Sequence, residues 1–347
     1  MTRFVSLSSG SNGNCYYIGN ESFGILIDAG IGTRTIKKRL AERGLSVDSV
    51  RCVLVSHDHF DHIRSLGTFA ERFQRPVYAT APCIAAFRRH YCTKGYLDGG
   101  RCRPLLPGAW LRLDDGCDRV MGGLFDGDFG GGAEWDARGN AAGGTGDAGS
   151  SVLRKDGSEA RTYAVPSGAE AALGQRSPRS ASAPSGSGIP GREGVWVLPF
   201  SVPHDATDTV GFHIRFFGET FTFLTDVGDV TEDAVRYASM ARHLIVEANY
   251  DPEMLRTGPY PPDLQARIRN GHGHLSNGQT AELIRRALAG DLLQDIFLCH
   301  LSENNNTPEL ALAAVSAVLP QPLPASDAPG IRLVALPRRE ASELFTW

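Results

Sequence analysis

Six consecutive residues, His57-Asp58-His59-Phe60-Asp61-His62, supply three imidazoles and two carboxylates. Neutral imidazole and carboxylate suit zinc, manganese or iron, and no thiolate lies in the run. His57 and His59 stand two apart, so an extended backbone faces both to one side. Asp61 and His62 follow where the chain turns and can aim at a second point nearby. That spacing suits two adjacent cations better than one. The plain alternative is a solvated, histidine-rich loop. Position argues against it, because the apolar residues 52–55 just before the run read as a buried strand. Residues 63–73 repeat apolar positions at roughly helical spacing and predict a helix. The run is therefore expected at a strand end, where ligand chemistry collects in α/β sheets.

The elements around it repeat the arrangement. Residues 195–202 read as a strand ending at Pro203-His204-Asp205, and residues 220–224 as one ending at Thr225-Asp226. Residues 296–299 end at His300, and residues 244–249 form a further strand with a polar end. Any one of these polar residues alone is more often a cap or a satisfied core group. Together His57, His59, Asp61, His62, His204, Asp226 and His300 provide five imidazoles and two carboxylates, enough for two cations with a position left open for water. Residues 209–216 and 220–224 predict a hairpin about Gly218. Strands are expected at 3–7, 15–18, 23–27, 76–79, 110–113 and 331–335. Helices are expected from Thr33 to Gly44, around Ile84 and Phe87, and at 231–241, 278–289 and 308–318. On the first helix Ile36 and Leu40 point inward, and Arg34, Lys37, Lys38, Arg39 and Arg43 form a basic face expected to be solvated. The loop Ser8-Ser9-Gly10-Ser11-Asn12-Gly13-Asn14 is either a hairpin turn or the lining of a site.

The chain of 347 residues carries a net charge of −4, so a nucleic-acid partner has to be argued from local features. Seven cysteines without a C-x-x-C pair fit a reducing cytoplasm, not a disulfide framework or a zinc ribbon. No segment resembles a secretory leader or a membrane span. Between residues 119 and 194 the composition shifts to Gly, Ala, Ser and Pro. That stretch is expected to be a disordered insertion in one domain built from residues 1–118 and 195–347. Its flanks read as neighbouring strands of one sheet, and a lid or partner tether is the functional alternative for it.

The run HDHFDH matches the HxHxDH signature, and outside the insertion the sequence resembles the metallo-β-lactamase fold hydrolases, specifically the YycJ/WalJ-like bacterial subfamily. SLSSGSNGNCYYI, ILIDAG, VLVSHDHFDH, PFSVPHDA, FTFLTDVGDV, IVEANYDPEML, GHGHLSN and LCHLSENNNTPELA carry the likeness in matching order and spacing. The resemblance implies an αββα sandwich of two mixed β-sheets with helices on the outer faces. It implies two divalent cations, zinc or manganese. His57, His59 and His204 would hold one, Asp61, His62 and His300 the other, and Asp226 would bridge them. It also implies a repair-linked 5′-to-3′ exonuclease acting on DNA through a metal-activated hydroxide, with Asp61 and His274 catalytic.

His274, Ser276 and Asn277 lie on a small-residue loop entering a helix, a place that favours phosphate, and are candidate substrate contacts. Arg267 and Arg269 are candidate backbone clamps, with surface charge as the alternative, and His272 with His274 could form a further ligand pair. Asp58, Asp205 and Glu247 are expected to orient ligand imidazoles, and Ser9, Ser11 and Asn14 to flank the pocket. The same chemistry can open a thioester, lactone, β-lactam or cyclic nucleotide, so a small-molecule hydrolase is the first rival. A regulatory protein with an inert metal site is the second.

Overall fold

Apolar residues occupy both faces of most central strands, which explains why those strands read as continuous apolar runs. On one strand Ile25 and Ile27 point into one core and Leu26 into another; on a second, Phe221 and Phe223 oppose Leu224. The computed structural model describes residues 1–97, 100–115, 120–121, 193–320 and 330–347. The first half lays down β1 (Arg3–Ser8), β2 (Cys15–Gly19), β3 (Gly24–Ile27), α1 (Thr33–Glu42), β4 (Val50–Leu54), α2 (Phe60–Ile63) and α3 (Leu66–Phe73). It continues with β5 (Val77–Thr80), α4 (Ala81–Phe87), β6 (Cys102–Leu105), β7 (Trp110–Arg112) and β8 (Val120–Met121). The second half adds β9 (Val195–Ser201), β10 (Val210–Phe216), β11 (Glu219–Leu224), α5 (Glu232–Ser239), β12 (His243–Glu247), α6 (Pro252–Thr257) and α7 (Pro262–Arg269). It closes with α8 (Asn277–Ala287), β13 (Asp295–Cys299), α9 (Pro308–Ser316), β14 (Arg332–Ala335) and β15 (Phe345–Thr346).

One sheet has seven strands in the order β15-β1-β2-β3-β4-β5-β6, and the other eight in the order β14-β13-β12-β11-β10-β9-β7-β8. Each mixes parallel and antiparallel pairs. Phe4, Tyr16, Phe212, Phe221, Phe223 and Phe297 fill the space between the sheets. The outer face of the first sheet is covered by Ile36 and Leu40 of α1 and Phe69 of α3. Ala234 of α5, Leu283 of α8 and Ala311 of α9 cover the second. The result is the αββα sandwich expected from the resemblance. No helix among the described residues is long and apolar enough to cross a membrane.

The hairpin between β10 and β11 turns through Phe217 and Gly218, both at positive φ, as a two-residue loop requires. Several elements depart from expectation. The helix predicted over 63–73 is broken into α2 and α3, because Ser65 donates its backbone N–H and its hydroxyl to Ala29 O and its hydroxyl also to Ile31 O. The strands β6 and β15 and the helices α6 and α7 were not signalled by periodicity. After β14 the chain returns to the first sheet, where β15 pairs with β1 and Trp347 N donates to Thr2 O at 3.0 Å. The basic face of α1 is only partly solvated: Arg39 donates to Leu7 O and Arg339 O, and Arg43 to Ser342 O and Ala341 O.

The segment 119–194, expected to be a disordered insertion, lies outside the described residues apart from 120–121 and 193–194. Its flanks are better defined. β7 pairs antiparallel with β8 on one side and with β9 on the other. β8 and β9 therefore run parallel on either side of β7, and the chain leaves the sheet level with Trp110 and re-enters about five residues further along, roughly 20 Å away. An eight-residue linker reaches roughly 26 Å. Replacing residues 122–192 with such a linker is expected to leave cooperative unfolding intact and to raise stability by up to about 2 kcal/mol, from the cheaper loop closure. Urea titration followed by circular dichroism checks this, and loss of the cooperative transition would refute it.

Candidate metal centre

The strands β3 to β6 run parallel to one another, and so do β11 to β14, so their carboxyl ends gather at one edge of each sheet. That edge carries Asp28 after β3, the His57–His62 run after β4, His204 after β9, Asp226 after β11, Glu247 at the end of β12 and His300 after β13. Among the described residues, four overlapping groups each bring one donor atom per residue within 4.8 Å of the others: His57/His59/His204; Asp61/His62/His300; His57/His62/Asp226; and Asp226/Glu247/His274/His300. All seven candidate ligands and His274 thus meet in one place.

Each imidazole is aimed by what its other nitrogen does. Asp28 accepts from His62 Nδ1 at 2.7 Å and from the Ser56 hydroxyl at 2.9 Å. The Ser56 oxygen is then left to accept from His57 Nδ1 at 3.0 Å. Gly273 O takes His204 Nδ1 at 2.7 Å, and Asp205 O takes His59 Nε2 at 3.2 Å. The second nitrogens therefore present lone pairs inward. His59 Nδ1 and His204 Nε2 face each other at 3.3 Å, and the buried Nε2 atoms of His57 and His300 have no hydrogen-bond partner. Asp226 stands between the two groups, with His62 Nε2 at 3.1 Å, His300 Nδ1 at 3.3 Å and His204 Nε2 at 3.7 Å. Asp61 Oδ2 lies 3.6 Å from His62 Nε2 and 3.5 Å from His300 Nε2. Opposed lone pairs and converging carboxylates are a donor set that fits divalent cations.

Electrostatics divides the imidazoles. Burial, aided by the neighbouring His62 cation, pushes His57 well below its ordinary pKa, and burial also lowers His204. Burial opposes charge on His62 and His300 too, but carboxylates outweigh it. Asp226, Asp28 and Asp61 raise His62 well above its ordinary value, and the nearby carboxylates of Asp226, Asp61 and Glu247 raise His300 from 6.5 to about 10. Burial alone would raise Asp226, yet His300 and His62 hold it well below the usual carboxylate range.

Other expectations are redistributed. Asp28 was not anticipated as part of the site, although ILIDAG ends a buried strand in the same way as the other site segments. Asp58 does not orient a ligand imidazole. It accepts from Thr207 N (3.0 Å), Thr207 Oγ1 (2.7 Å) and His90 Nε2 (3.2 Å), so it fastens two loops. Glu247 accepts from Val227 N at 2.7 Å, Leu275 N at 3.0 Å and His274 Nδ1 at 3.0 Å. The opening loop lines the site: Asn14 Nδ2 lies 2.9 Å from His62 Nε2, and His300 N donates to Ser9 Oγ at 2.9 Å, while Ser11 is exposed. Ser276 and Asn277 are not brought to the mouth. Ser276 caps α8 in a reciprocal box with Gln279, and Asn277 is buried against Asn306. Arg267 pairs with Asp205 at 2.5 Å, Arg269 donates to Gln265 O, and His272 is exposed outside all four groups.

Residues 9–124 match the family model described as the metallo-beta-lactamase superfamily. Solved structures agree on the fold. The metallo-β-lactamase fold protein YhfI from Bacillus subtilis has a TM-score of 0.55 at 12% identity and covers both chains completely. Unliganded yeast PDE1 has a TM-score of 0.56 at 10% identity, covering 99% of each chain. With these alignments and this edge of imidazoles and carboxylates, the chain has the metallo-β-lactamase fold and is a metal-dependent hydrolase. At the level of particular proteins it is YycJ/WalJ-like. It is 25% identical over 316 residues to exodeoxyribonuclease YycJ of Bacillus anthracis (91% of this chain, 88% of that protein). It is 26% identical over 309 residues to exodeoxyribonuclease WalJ of Streptococcus pneumoniae (89% and 85%).

The raised values on His62 and His300 set the sign of a pH dependence. With a folded pKa near 10, the His300 proton stabilises the cation-free protein fully below pH 6.5, and that contribution is lost as pH rises through about 10. Cation uptake needs both imidazoles neutral, so at pH 7.5 it is expected to release about two protons, with affinity rising with pH. Zinc titration calorimetry in buffers of different ionisation enthalpy checks this. A heat independent of buffer would contradict it. Asp28→Asn is expected to weaken zinc affinity roughly 10- to 100-fold by freeing His62 to turn, read by competition with a chromogenic chelator.

Proposed function

We propose that this protein is a dinuclear phosphodiesterase that acts as a 5′-to-3′ exonuclease on DNA, in a repair role within a reducing cytoplasm. The observation that carries the reading is the pair of three-residue groups flanking Asp226, together with the similarity to proteins named exodeoxyribonucleases over most of the chain. In this reading His57, His59 and His204 hold one cation, Asp61, His62 and His300 hold the other, and Asp226 serves both. Zinc and manganese both suit the donor set. When bound, the cations would supply Lewis acidity to the phosphoryl oxygens and lower the pKa of a water.

The chain's own groups do the rest. Glu247 fixes His274 through Nδ1, so the opposite ring nitrogen of this partly exposed imidazole faces the mouth between His204 and His300, 5.0 and 5.2 Å away between ring centres. From there it can bond the scissile phosphate or, as an imidazolium, hand a proton to the departing 3′ oxygen. Glu247 holds that ring's orientation while remaining bonded to two backbone N–H groups. Ser9 and Asn14 line the site beside His300 and His62.

The test uses chelator-stripped protein resupplied with manganese or zinc, and single- and double-stranded DNA and RNA labelled at either end. Metal-dependent release of mononucleotides from DNA 5′ ends is expected, lost in Asp226→Ala. For His274→Ala a fall of roughly 10²- to 10⁴-fold in kcat is expected, the range for a positioned proton donor. Hydrolysis of bis-p-nitrophenyl phosphate without cleavage of any polymer would replace this reading with a small-substrate hydrolase.

A further inference from the structure

Phe60 stands inside the metal motif, between His59 and Asp61, yet it does not join the core and is 43% exposed. Its ring lies 5.6 Å from that of Tyr91, itself 77% exposed, with the planes tilted by 35°. The Arg64 guanidinium sits 5.7 Å from the centre of the Phe60 ring. Tyr91 is held in place despite its exposure. The neighbouring His90 bonds Asp58, and the turn is closed by Lys94 N to His90 O at 2.8 Å and Thr93 Oγ1 to Phe87 O at 2.6 Å. The two rings are thus fastened to the second residue of the metal motif.

Beyond Arg64 lies a recess of about 390 Å³ that Arg34 and Arg72 also line, with Thr33 and Thr68 between them. Arg34, Arg64 and Arg72 are exposed, and none forms an ion pair or hydrogen bond with the described residues. Residues 31–97 hold twelve Lys and Arg against five Asp and Glu, in a chain of net charge −4. The stretch that carries the metal motif is thus net positive in a chain that is net negative, and Arg34, Arg64 and Arg72 hold part of that charge in the recess.

We infer that Phe60 and Tyr91 form a stacking platform for an unpaired base, and that the Arg34–Arg64–Arg72 recess takes a backbone phosphate of the same single strand. This extends the nuclease reading to its substrate. An exposed aromatic pair offers a face to any base, and arginines next to it supply the anion contact; this combination suits sequence-independent binding of single strands. A base inside a duplex has no free face, so the platform selects an unpaired end or strand. Arg64 touches both parts, and so joins the stacked base to the phosphate recess.

The test is fluorescence anisotropy of the metal-loaded full chain with a labelled phosphorothioate oligothymidylate that resists cleavage, at several salt concentrations. Tyr91→Ala is expected to weaken binding roughly 5- to 100-fold without changing the salt slope, and Tyr91→Phe to restore it. Arg34→Ala with Arg72→Ala should reduce the slope of log K against log[salt] by about 0.7, the value for one phosphate contact on a single strand. Parent-like affinity in Tyr91→Ala together with a parent-like slope in the arginine double variant would overturn the inference. Because binding is read without cleavage, the two readings fail separately. Tyr91-dependent strand binding by a protein that cuts no nucleic acid removes the nuclease reading alone, and cleavage with parent-like binding in all variants removes the platform alone.

Discussion

Asp28 is fully buried and accepts three hydrogen bonds, from Ser56 N, the Ser56 hydroxyl and His62 Nδ1. A carboxylate without such partners would cost several kcal/mol to bury, so the end of β4 and the turn into α2 are held where those donors can reach it. The backbone of Asp28 adopts φ 61°, a conformation disfavoured for a residue with a side chain. The surrounding bonds sustain that conformation, and it turns the carboxylate from the end of β3 toward β4. One group then settles two imidazoles: it takes His62 Nδ1 directly, and by occupying the Ser56 proton it makes Ser56 the acceptor for His57 Nδ1. Gly30 follows two residues later, where any side chain would overlap the Asp61 carbonyl, so the turns after β3 and β4 can touch only because it is glycine.

The arrangement inside is electrostatically incomplete by itself. Opposed nitrogen lone pairs on His59 and His204 repel, and Asp226 gathers imidazoles around a carboxylate shielded from water. Without a cation, protons on His62 and His300 balance the carboxylates, which is why their pKa values rise, while burial lowers those of His57 and His204. Proton and divalent cation therefore compete for the same lone pairs. The neighbourhood rewards positive charge without specifying its carrier.

The motif also works outward. Between its inward-facing ligand candidates, Asp58 fastens the His204 loop through Thr207 and the Tyr91 turn through His90, and Phe60 reaches solvent. Six adjacent residues thus orient the centre, join loops from both halves of the chain, and present an aromatic surface beside it. The single turn of α2 makes this possible, because it rotates successive side chains to different sides of one backbone turn.

Much of this was legible in the sequence. Strands filled on both faces appear as unbroken apolar runs, and a polar residue after each run is conspicuous. The succession of most strands along the chain, with a candidate ligand after several of them, could therefore be read from spacing, and the HxHxDH likeness supplied the sandwich. Ser276 and Gln279 also carried a readable sign, since their spacing is that of a capping box, a structural reading that competes with substrate contact. What the sequence left open was the partner of each polar group. Asp58 bonds a residue 149 positions away, and His62 bonds Asp28 from 34 away, and no local pattern encodes such a separation. The breaks at Ser65 and the return of β15 to β1 depend on carbonyls supplied by distant turns. Local periodicity determined which residues would lie at the strand ends. Only the packing of two sheets face to face decided which nitrogen faces inward, which carboxylate orients it, and which ring is left in water.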